Sequence, residues 1–174
     1  MIFVLEHYKS WLGIKRRLEE SLCHSLKDRI TYFLTRYHKV HDAYGRASIR
    51  FDEKELICFS WIEMCRQEHE ISKINKKNPA LSYKEAEDSL KSVWDKNCTY
   101  DEMDFLDAVQ KFFHLPIQDA LLSDNYIIKV LAILDRRVGK RTLNQISSSK
   151  EYVSYPEWVQ QFYLLRLEFE KLNI

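Results

Sequence analysis

Glycine and proline are scarce in this sequence, with three of each among 174 residues. A fold built of many short strands needs these residues at its turns, so their scarcity disfavours an all-β architecture and favours long helices. The low glycine count also argues against a loop that cradles a phosphate. None of the G-x-G-x-x-G, P-loop, G-x-S-x-G or H-E-x-x-H motifs is present, so the sequence offers no motif of a familiar enzyme class.

Long apolar runs are missing as well. No stretch approaches the ~18 apolar residues of a membrane span, and the apolar run in residues 1–9 is too short for a secretory signal. We therefore expect a cytoplasmic protein with no membrane contact, whose four cysteines stay reduced. Because the net charge is only +1, no overall field draws the chain to nucleic acid or anionic lipid.

Apolar residues make up 45% of the chain, enough for a core that needs no disulfide or metal. The length indicates a single domain over 1–174, with a sheet-containing part at 1–72 and a helical part at 82–174. The polar, proline-containing stretch 73–82 is the predicted loop between them. Charge is segregated along the chain, since basic residues are in excess in 1–60 and 126–174 and acidic residues in 61–125.

Three runs between residues 29 and 61 predict an antiparallel sheet: RITYFLTRY, GRASIRF and KELICFSW. The first is rich in residues that favour strands. The second alternates between apolar and polar residues, and Asp52-Glu53-Lys54 joins it to the third as a hairpin. We predict an α+β, predominantly helical fold, in which a three-stranded antiparallel sheet near the N-terminus, with one solvated face, packs against a helical bundle.

Helices are predicted over residues 10–22 and throughout the chain after Trp61. S/T-x-x-E capping boxes mark three helix starts, at Ser82, Thr99 and Ser154. The apolar segment 124–138 indicates a helix at the centre of the domain, and Gly139 fits the left-handed position after a helix end. An apolar seam in the last helix, 156–172, suggests a homodimer through residues 158–172.

The densest cationic stretch is 135–141, which supplies Arg136, Arg137, Lys140 and Arg141 as candidate binding residues. These side chains could bind a phosphate or an acidic partner surface. Cations after a helix also stabilise its negative end, which explains part of the pattern without a ligand. Only Lys140 and Arg141, at the start of a further short helix, would have a helix N-terminus to assist anion binding.

The polar face of the predicted sheet supplies two more candidates, Arg46 and Arg50. Together with Ser48, Phe33 and Tyr37 they resemble a platform on which single-stranded nucleic acid stacks. A solvated antiparallel face ordinarily has the same composition, so this pattern has a structural explanation too.

Metal and nucleophile chemistry have weaker support. Cys58, Cys65 and His69 lie close in sequence, and Cys23-His24 could complete a zinc site, but no C-x₂-C pair occurs. No third group orients Cys23 and His24 for nucleophilic catalysis. Acidic residues at 101–107 fit the first turn of a helix better than a pair of catalytic carboxylates. We expect no catalytic residue, no metal and no cofactor.

Three stretches resemble an uncharacterised family of small bacterial cytoplasmic proteins. The resemblance rests on a W-x₃-K…L-C-x-S-L-K-x-R-I pattern from Trp11 to Ile30, on GRASIRFDEKEL at 45–56, and on DRRVGKR at 135–141. It covers most of the chain and brings no assigned activity or catalytic residue. Such genes are associated with contact-dependent toxin systems, so the resemblance implies an immunity-like role. We expect a non-catalytic protein-interaction protein, with binding of nucleic acid or another anion as the alternative.

Overall fold

The computed structural model describes residues 10–36 and 45–172. The expectations for residues 1–9 and for Tyr37 lie outside the described residues. The α-helices are α1 (Trp11–Ser21), α2 (Trp61–Lys77), α3 (Tyr83–Asn97), α4 (Glu102–His114), α5 (Ile117–Leu122), α6 (Tyr126–Leu134), α7 (Lys140–Ser149) and α8 (Glu157–Phe169). The strands are β1 (Ile30–Arg36), β2 (Gly45–Phe51) and β3 (Lys54–Ser60), and short 3-10 helices cover His24–Leu26 and Glu151–Ser154. The predicted fold class, α+β and mostly helical, is confirmed.

The strands form an antiparallel sheet in the order β1-β2-β3, as predicted. Asp52 and Glu53 alone connect β2 to β3, both with positive φ, which is the geometry of a tight hairpin turn. The prediction of one solvated face is wrong at its centre. Ser48 alternates with the core-facing Ala47 and Ile49 along β2, yet it is fully buried.

The core joins one face of the sheet to α4, α6 and α8. The rings of Phe59 on β3 and Phe105 on α4 stack with centroids 5.0 Å apart. Helix α6 is buried from Ile127 to Leu134, as its apolar composition predicts. Lys129 within it is only 8% exposed and donates Nζ to the carbonyl of Leu121 at 3.0 Å. Burial lowers the pKa of Lys129.

Helix starts follow the capping prediction at one site out of three. At Ser82 the capping box is confirmed, since its hydroxyl accepts from the amide of Glu85 and the Glu85 carboxylate accepts from the amide of Ser82. The box predicted at Thr99 is wrong, because Asp101 caps α4 with Asp104 as its reciprocal partner. A carboxylate accepts these amide bonds more strongly than a hydroxyl does.

The third predicted box, at Ser154, is also wrong. Pro156 occupies the cap position of α8 and makes no side-chain capping bond. The hydroxyl of Ser154 instead donates to the carbonyl of Glu151 at 2.8 Å, inside the preceding 3-10 helix. A proline immediately before the helix fixes the chain direction there without a capping side chain.

Three further boundaries differ from the prediction. Helix α6 ends at Leu134, before the predicted end at 138, because Asp135 turns away to pair with Arg137. Gly139 does not take a left-handed conformation; it precedes α7 with φ of −83°. The predicted loop 73–82 is shorter, because α2 continues through its lysines to Lys77 and leaves only 78–82 as the connection to α3.

The apolar seam of the last helix is used inside the chain. Trp158 and Phe162 are buried, and the seam continues onto the same core through Leu165, Phe169 and Leu172. Self-association through 158–172 therefore stays a prediction. The residues that would form the contact already pack against the core of their own chain. Among the described residues, no helix combines the length and apolar character that crossing a membrane demands.

Gly45, the first residue of β2, lies against the side chain of Glu102 on α4. A methyl group added at Gly45 would overlap the Glu102 carboxylate. A side chain at residue 45 would therefore require the Glu102 carboxylate to move.

Candidate arginine groove

Arginines from two distant parts of the chain meet in a groove of about 280 Å³. Arg17 comes from α1, Arg136 and Arg137 from the segment between α6 and α7, and Phe112 and Phe113 from the end of α4. We call this the arginine groove. Glu20, Ser21 and Asp135 complete its lining.

Backbone hydrogen bonds hold the two walls of the groove together. The amide of Arg136 donates to the carbonyl of Ser21 at 2.8 Å, and the amide of Cys23 donates to the carbonyl of Leu134 at 2.9 Å. The end of α6 and the residues after it are thus paired with the end of α1 and the residues after it, which fixes the position of the backbone at Arg136.

Arg17 is held over an aromatic ring. Its guanidinium lies 4.0 Å from the centroid of Phe113, and Nη2 donates to the Phe113 carbonyl at 3.2 Å. That carbonyl belongs to the last turn of α4, where backbone acceptors lack partners within the helix and favour a cation. The stacking and the hydrogen bond restrict the orientation of the guanidinium.

Arg137 is fixed by a buried carboxylate. Its Nε and Nη2 each lie 3.0 Å from a different oxygen of Asp135, and its amide donates to Asp135 Oδ1 at 2.7 Å. Asp135 is only 1% exposed, so the paired guanidinium compensates a charge that water does not reach. The Arg137 guanidinium also lies 5.3 Å from the ring of Phe112.

Arg136 differs from Arg17 and Arg137 in its contacts. All three side chains are exposed, but among the described residues no group accepts a hydrogen bond from the Arg136 side chain. Lys140 and Arg141, the first residues of α7, are also exposed, and no side chain caps this helix at Gly139. The short helix expected to start here is present as α7, but Lys140 and Arg141 are not among the residues that line the groove.

The groove keeps a positive balance. Three guanidinium groups face two carboxylates, and one of those carboxylates, Asp135, is bound to Arg137. Glu20 is the other, and it is exposed. The hydroxyl of Ser21 donates to the carbonyl of Leu18 at 2.8 Å, so it is not activated as a nucleophile.

The two arginines predicted on the sheet lie apart from the groove and contact their neighbours. Arg46 donates Nη2 to Glu55 at 2.6 Å and Nε to the sulfur of Cys58 at 3.0 Å. The bond to Cys58 is the main cause that raises the pKa of Arg46. The guanidinium of Arg50 lies 4.3 Å from the centroid of the Phe33 ring on the neighbouring strand β1. Binding of nucleic acid or another anion by Arg46 and Arg50 stays a prediction.

The cysteine and histidine candidates do not form a group in the structure. Cys65 is half-buried and His69 is exposed on α2, whereas Cys58 contacts Arg46 on the sheet. Cys23 is buried with its sulfur 3.4 Å from the hydroxyl of Ser25. In the described ranges 10–36 and 45–172, no set of three or more His, Cys, Asp or Glu side chains is arranged to hold a metal ion.

A second groove, of about 320 Å³, carries the opposite charge. It lies between α3 and α4 and is lined by Glu87, Asp88, Lys91, Trp94, Asp95, Tyr100 and Asp104. The Tyr100 hydroxyl donates to Asp95. Burial, and then the charges of Asp101 and Asp107, raise the pKa of Asp104. The segregation of charge seen along the sequence thus persists in the folded chain.

Arg17 was not a candidate from the sequence. It lies in an ordinary amphipathic helix, and its partner Phe113 is 96 residues away. The sequence pattern of α1 does not distinguish Arg17 from its neighbour Arg16. Only the tertiary structure shows that Arg17 pairs with Phe113.

A protein-family model matches most of this chain. The family is described as the SF0329 protein family, and the match covers residues 10–167. The matched region contains α1 to α7, the sheet and most of α8, and therefore the whole arginine groove. Neither the curated proteins nor the solved structures include a match to this chain.

Proposed function

The chain belongs to the SF0329 protein family, and on that premise we propose that it is a non-catalytic protein that binds an acidic surface of a protein partner. The binding surface is the arginine groove, extended by Lys140 and Arg141 at the start of α7. The observation that carries this proposal is the state of the three groove arginines. All three are exposed, but Arg17 and Arg137 are held by contacts within the chain, whereas the side chain of Arg136 has no hydrogen-bond acceptor among the described residues.

The fixed arginines favour binding because little side-chain freedom is left to lose. Ordering a long, flexible side chain at an interface costs about 0.5–1.5 kcal/mol. For Arg17 and Arg137, contacts with Phe113 and Asp135 already restrict the side chain in the free protein, which reduces this cost. Arg136 supplies a planar fork of donors that suits a carboxylate.

The environment of the groove favours binding over chemistry. Its one hydroxyl, on Ser21, donates to a backbone carbonyl, and its buried carboxylate, Asp135, is committed to Arg137. A serine nucleophile needs a base that removes its proton, and the backbone carbonyl that accepts the Ser21 proton is not such a base. Asp135 is bound to Arg137, and the other carboxylate, on Glu20, is exposed to water. This arrangement supports a surface that recognises a partner without turnover.

An acidic protein surface fits this groove better than a nucleic acid does. Glu20 lies among the arginines and would repel a continuous phosphate backbone, whereas a protein partner can place neutral or basic groups opposite it. On the sheet, Arg46 and Arg50 are engaged with Glu55, Cys58 and Phe33. Nucleic-acid binding stays the alternative, and the experiment below distinguishes it.

The setting that we propose is the bacterial cytoplasm, with an immunity-like form of binding. In that form the partner is a toxin, and the chain neutralises it by covering an acidic part of its surface. This finer proposal comes from the resemblance of the sequence patterns; the groove supports only the charge of the partner.

Fluorescence anisotropy with defined probes tests the proposal at low salt. The probes are a labelled glutamate-rich peptide, its glutamine counterpart and a single-stranded RNA of equal charge. We expect the glutamate peptide to bind, the glutamine peptide not to bind, and the RNA to bind more weakly. Arg136→Ala should weaken peptide binding about tenfold, equivalent to ~1.4 kcal/mol.

The matched control removes cations elsewhere. Lys54→Ala and Lys84→Ala delete exposed charges outside the groove and should leave peptide affinity unchanged beyond a small salt-dependent effect. Equal weakening by the control and the groove variant would show a non-specific field and refute the groove. Tighter binding of RNA than of peptide would favour the alternative function.

A further inference from the structure

A buried arginine contacts the segment that carries the arginine groove. Arg166 on α8 is 3% exposed, and its Nη2 donates to the carbonyl of Val138 at 3.0 Å. Val138 belongs to the same segment between α6 and α7 that carries Arg136 and Arg137. Arg166 therefore reaches that segment from the inside of the molecule.

Arg166 is also connected to the opposite wall. Its Nη2 lies 3.5 Å from the carboxylate of Glu170, the residue that follows α8. The hydroxyl of Ser25 donates to the same carboxylate oxygen at 2.8 Å. Ser25 lies in the short 3-10 helix directly after Cys23, the residue whose amide donates to the Leu134 carbonyl at the end of α6. The Arg166–Glu170 pair thus links both walls of the groove to α8.

Burying the guanidinium of Arg166 costs desolvation free energy, which its hydrogen bond and ion pair must offset. Burial lowers the pKa of its guanidinium, and Nε and Nη1 have no hydrogen-bond partner among the described residues. An apolar side chain of similar volume fills such a position at a lower desolvation cost. What an apolar side chain cannot do is donate to the Val138 carbonyl and pair with Glu170 at the same time.

We propose that Arg166 is a positioning residue for the arginine groove. It sets the distance between the segment that carries Arg136 and the segment that follows Arg17, through Val138 on one side and Glu170–Ser25 on the other. Its own guanidinium does not meet the partner. The consequence for binding rests on the proposed function, whereas the consequence for the two segments can be measured without any partner.

Amide hydrogen exchange under native conditions measures the structural part. Arg166→Met removes the donor and retains much of the volume. We expect the amides of Arg136 and Cys23 to exchange about tenfold faster, because their bonds to Ser21 and Leu134 open more often. The amide of Ile49 in the sheet should change much less. Arg166→Lys, which can still donate to Val138, should recover part of the protection.

A control variant separates positioning from general destabilisation. Val159→Ala removes volume from the same helix, at a fully buried residue in its first turn. It should lower thermal stability without singling out the Arg136 and Cys23 amides. If Arg166→Met does not fold, Glu170→Gln weakens the same link from its less buried partner and should give the same local pattern.

The outcomes for Arg166 and for the proposed function are separable. Selective exchange at Arg136 and Cys23 together with weaker peptide binding supports the positioning role. Uniform or unchanged exchange overturns it, even if wild-type protein binds the glutamate peptide. Selective exchange in a protein that binds no peptide would retain Arg166 as a support of the two segments and reject the proposed function.

Discussion

The pair of helices α2 and α3 and the body around α6 are stabilised in different ways. In the body, helix α6 is buried along its whole length after Tyr126, and aromatic rings from the sheet and α4 stack on each other. In the helix pair, Ile71 and Ala86 are buried, but neither belongs to the main core cluster. Trp158 ties the base of α3 to the body by donating its indole N–H to the Asp95 carbonyl at 2.7 Å.

The body is stabilised mainly by its buried core, whereas the helix pair relies more on hydrogen bonds at a helix end. The body has a core large enough to determine its structure even where helix caps are weak, as at Pro156. The helix pair has a small contact between its helices and depends more on its cap at Ser82. The body should therefore lose stability as a unit, and the helix pair should open by itself.

The largest expected effect comes from the body. Phe105→Ala removes a fully buried ring that contacts both Phe59 and Trp11, and should cost about 3–5 kcal/mol. Thermal unfolding followed by circular dichroism should show one transition at a markedly lower temperature. A loss below about 1 kcal/mol would mean that the stacked rings do not anchor the sheet to α4.

A smaller and local effect is expected between α2 and α3. Ile71→Ala should cost about 2 kcal/mol, at the low end of such substitutions, because the small contact can adjust. Hydrogen exchange should accelerate in α2 and α3 while the amides of α6 keep their protection. The matched control is Ile62→Ala, which makes the same substitution at an exposed position of α2 and should leave exchange nearly unchanged. Equal acceleration in α6 would contradict the separation of the two regions.

The smallest effect concerns acid pH. The hydroxyl and then the amide of Ser82 lower the pKa of Glu85. A carboxyl with a lowered pKa in the folded state stabilises above its unfolded pKa and loses that contribution as pH falls through the folded value. Protection of α3 amides should therefore decline below about pH 4, and Glu85→Gln should remove most of that decline.

Much of the sheet could be predicted, because alternation along one strand determines which side chains face the core. Ala47 and Ile49 follow this rule, and the short connection at Asp52 fixes the hairpin. Helix ends were less predictable where two signals compete. Asp101 replaced Thr99 as a cap because both lie before the same helix, and Gly139 served the helix after it instead of the one before.

The candidate site was predictable in part for a similar reason. Arg136 and Arg137 stood out because they are adjacent in sequence, and the structure places both in the arginine groove. Arg17 and Arg166 could not be recognised, because their roles depend on Phe113 and Val138, which are distant along the chain. Charge density along a sequence therefore reveals a cluster only when the cluster is local.

The close approach of Gly45 to Glu102 has an evolutionary consequence. Since any side chain at residue 45 would occupy the space of the Glu102 carboxylate, the two residues are sterically interdependent. Relatives that replace this glycine should carry a shorter residue where this chain has Glu102. Paired substitution at the two positions in a family alignment would indicate that β2 and α4 lie equally close in the relatives.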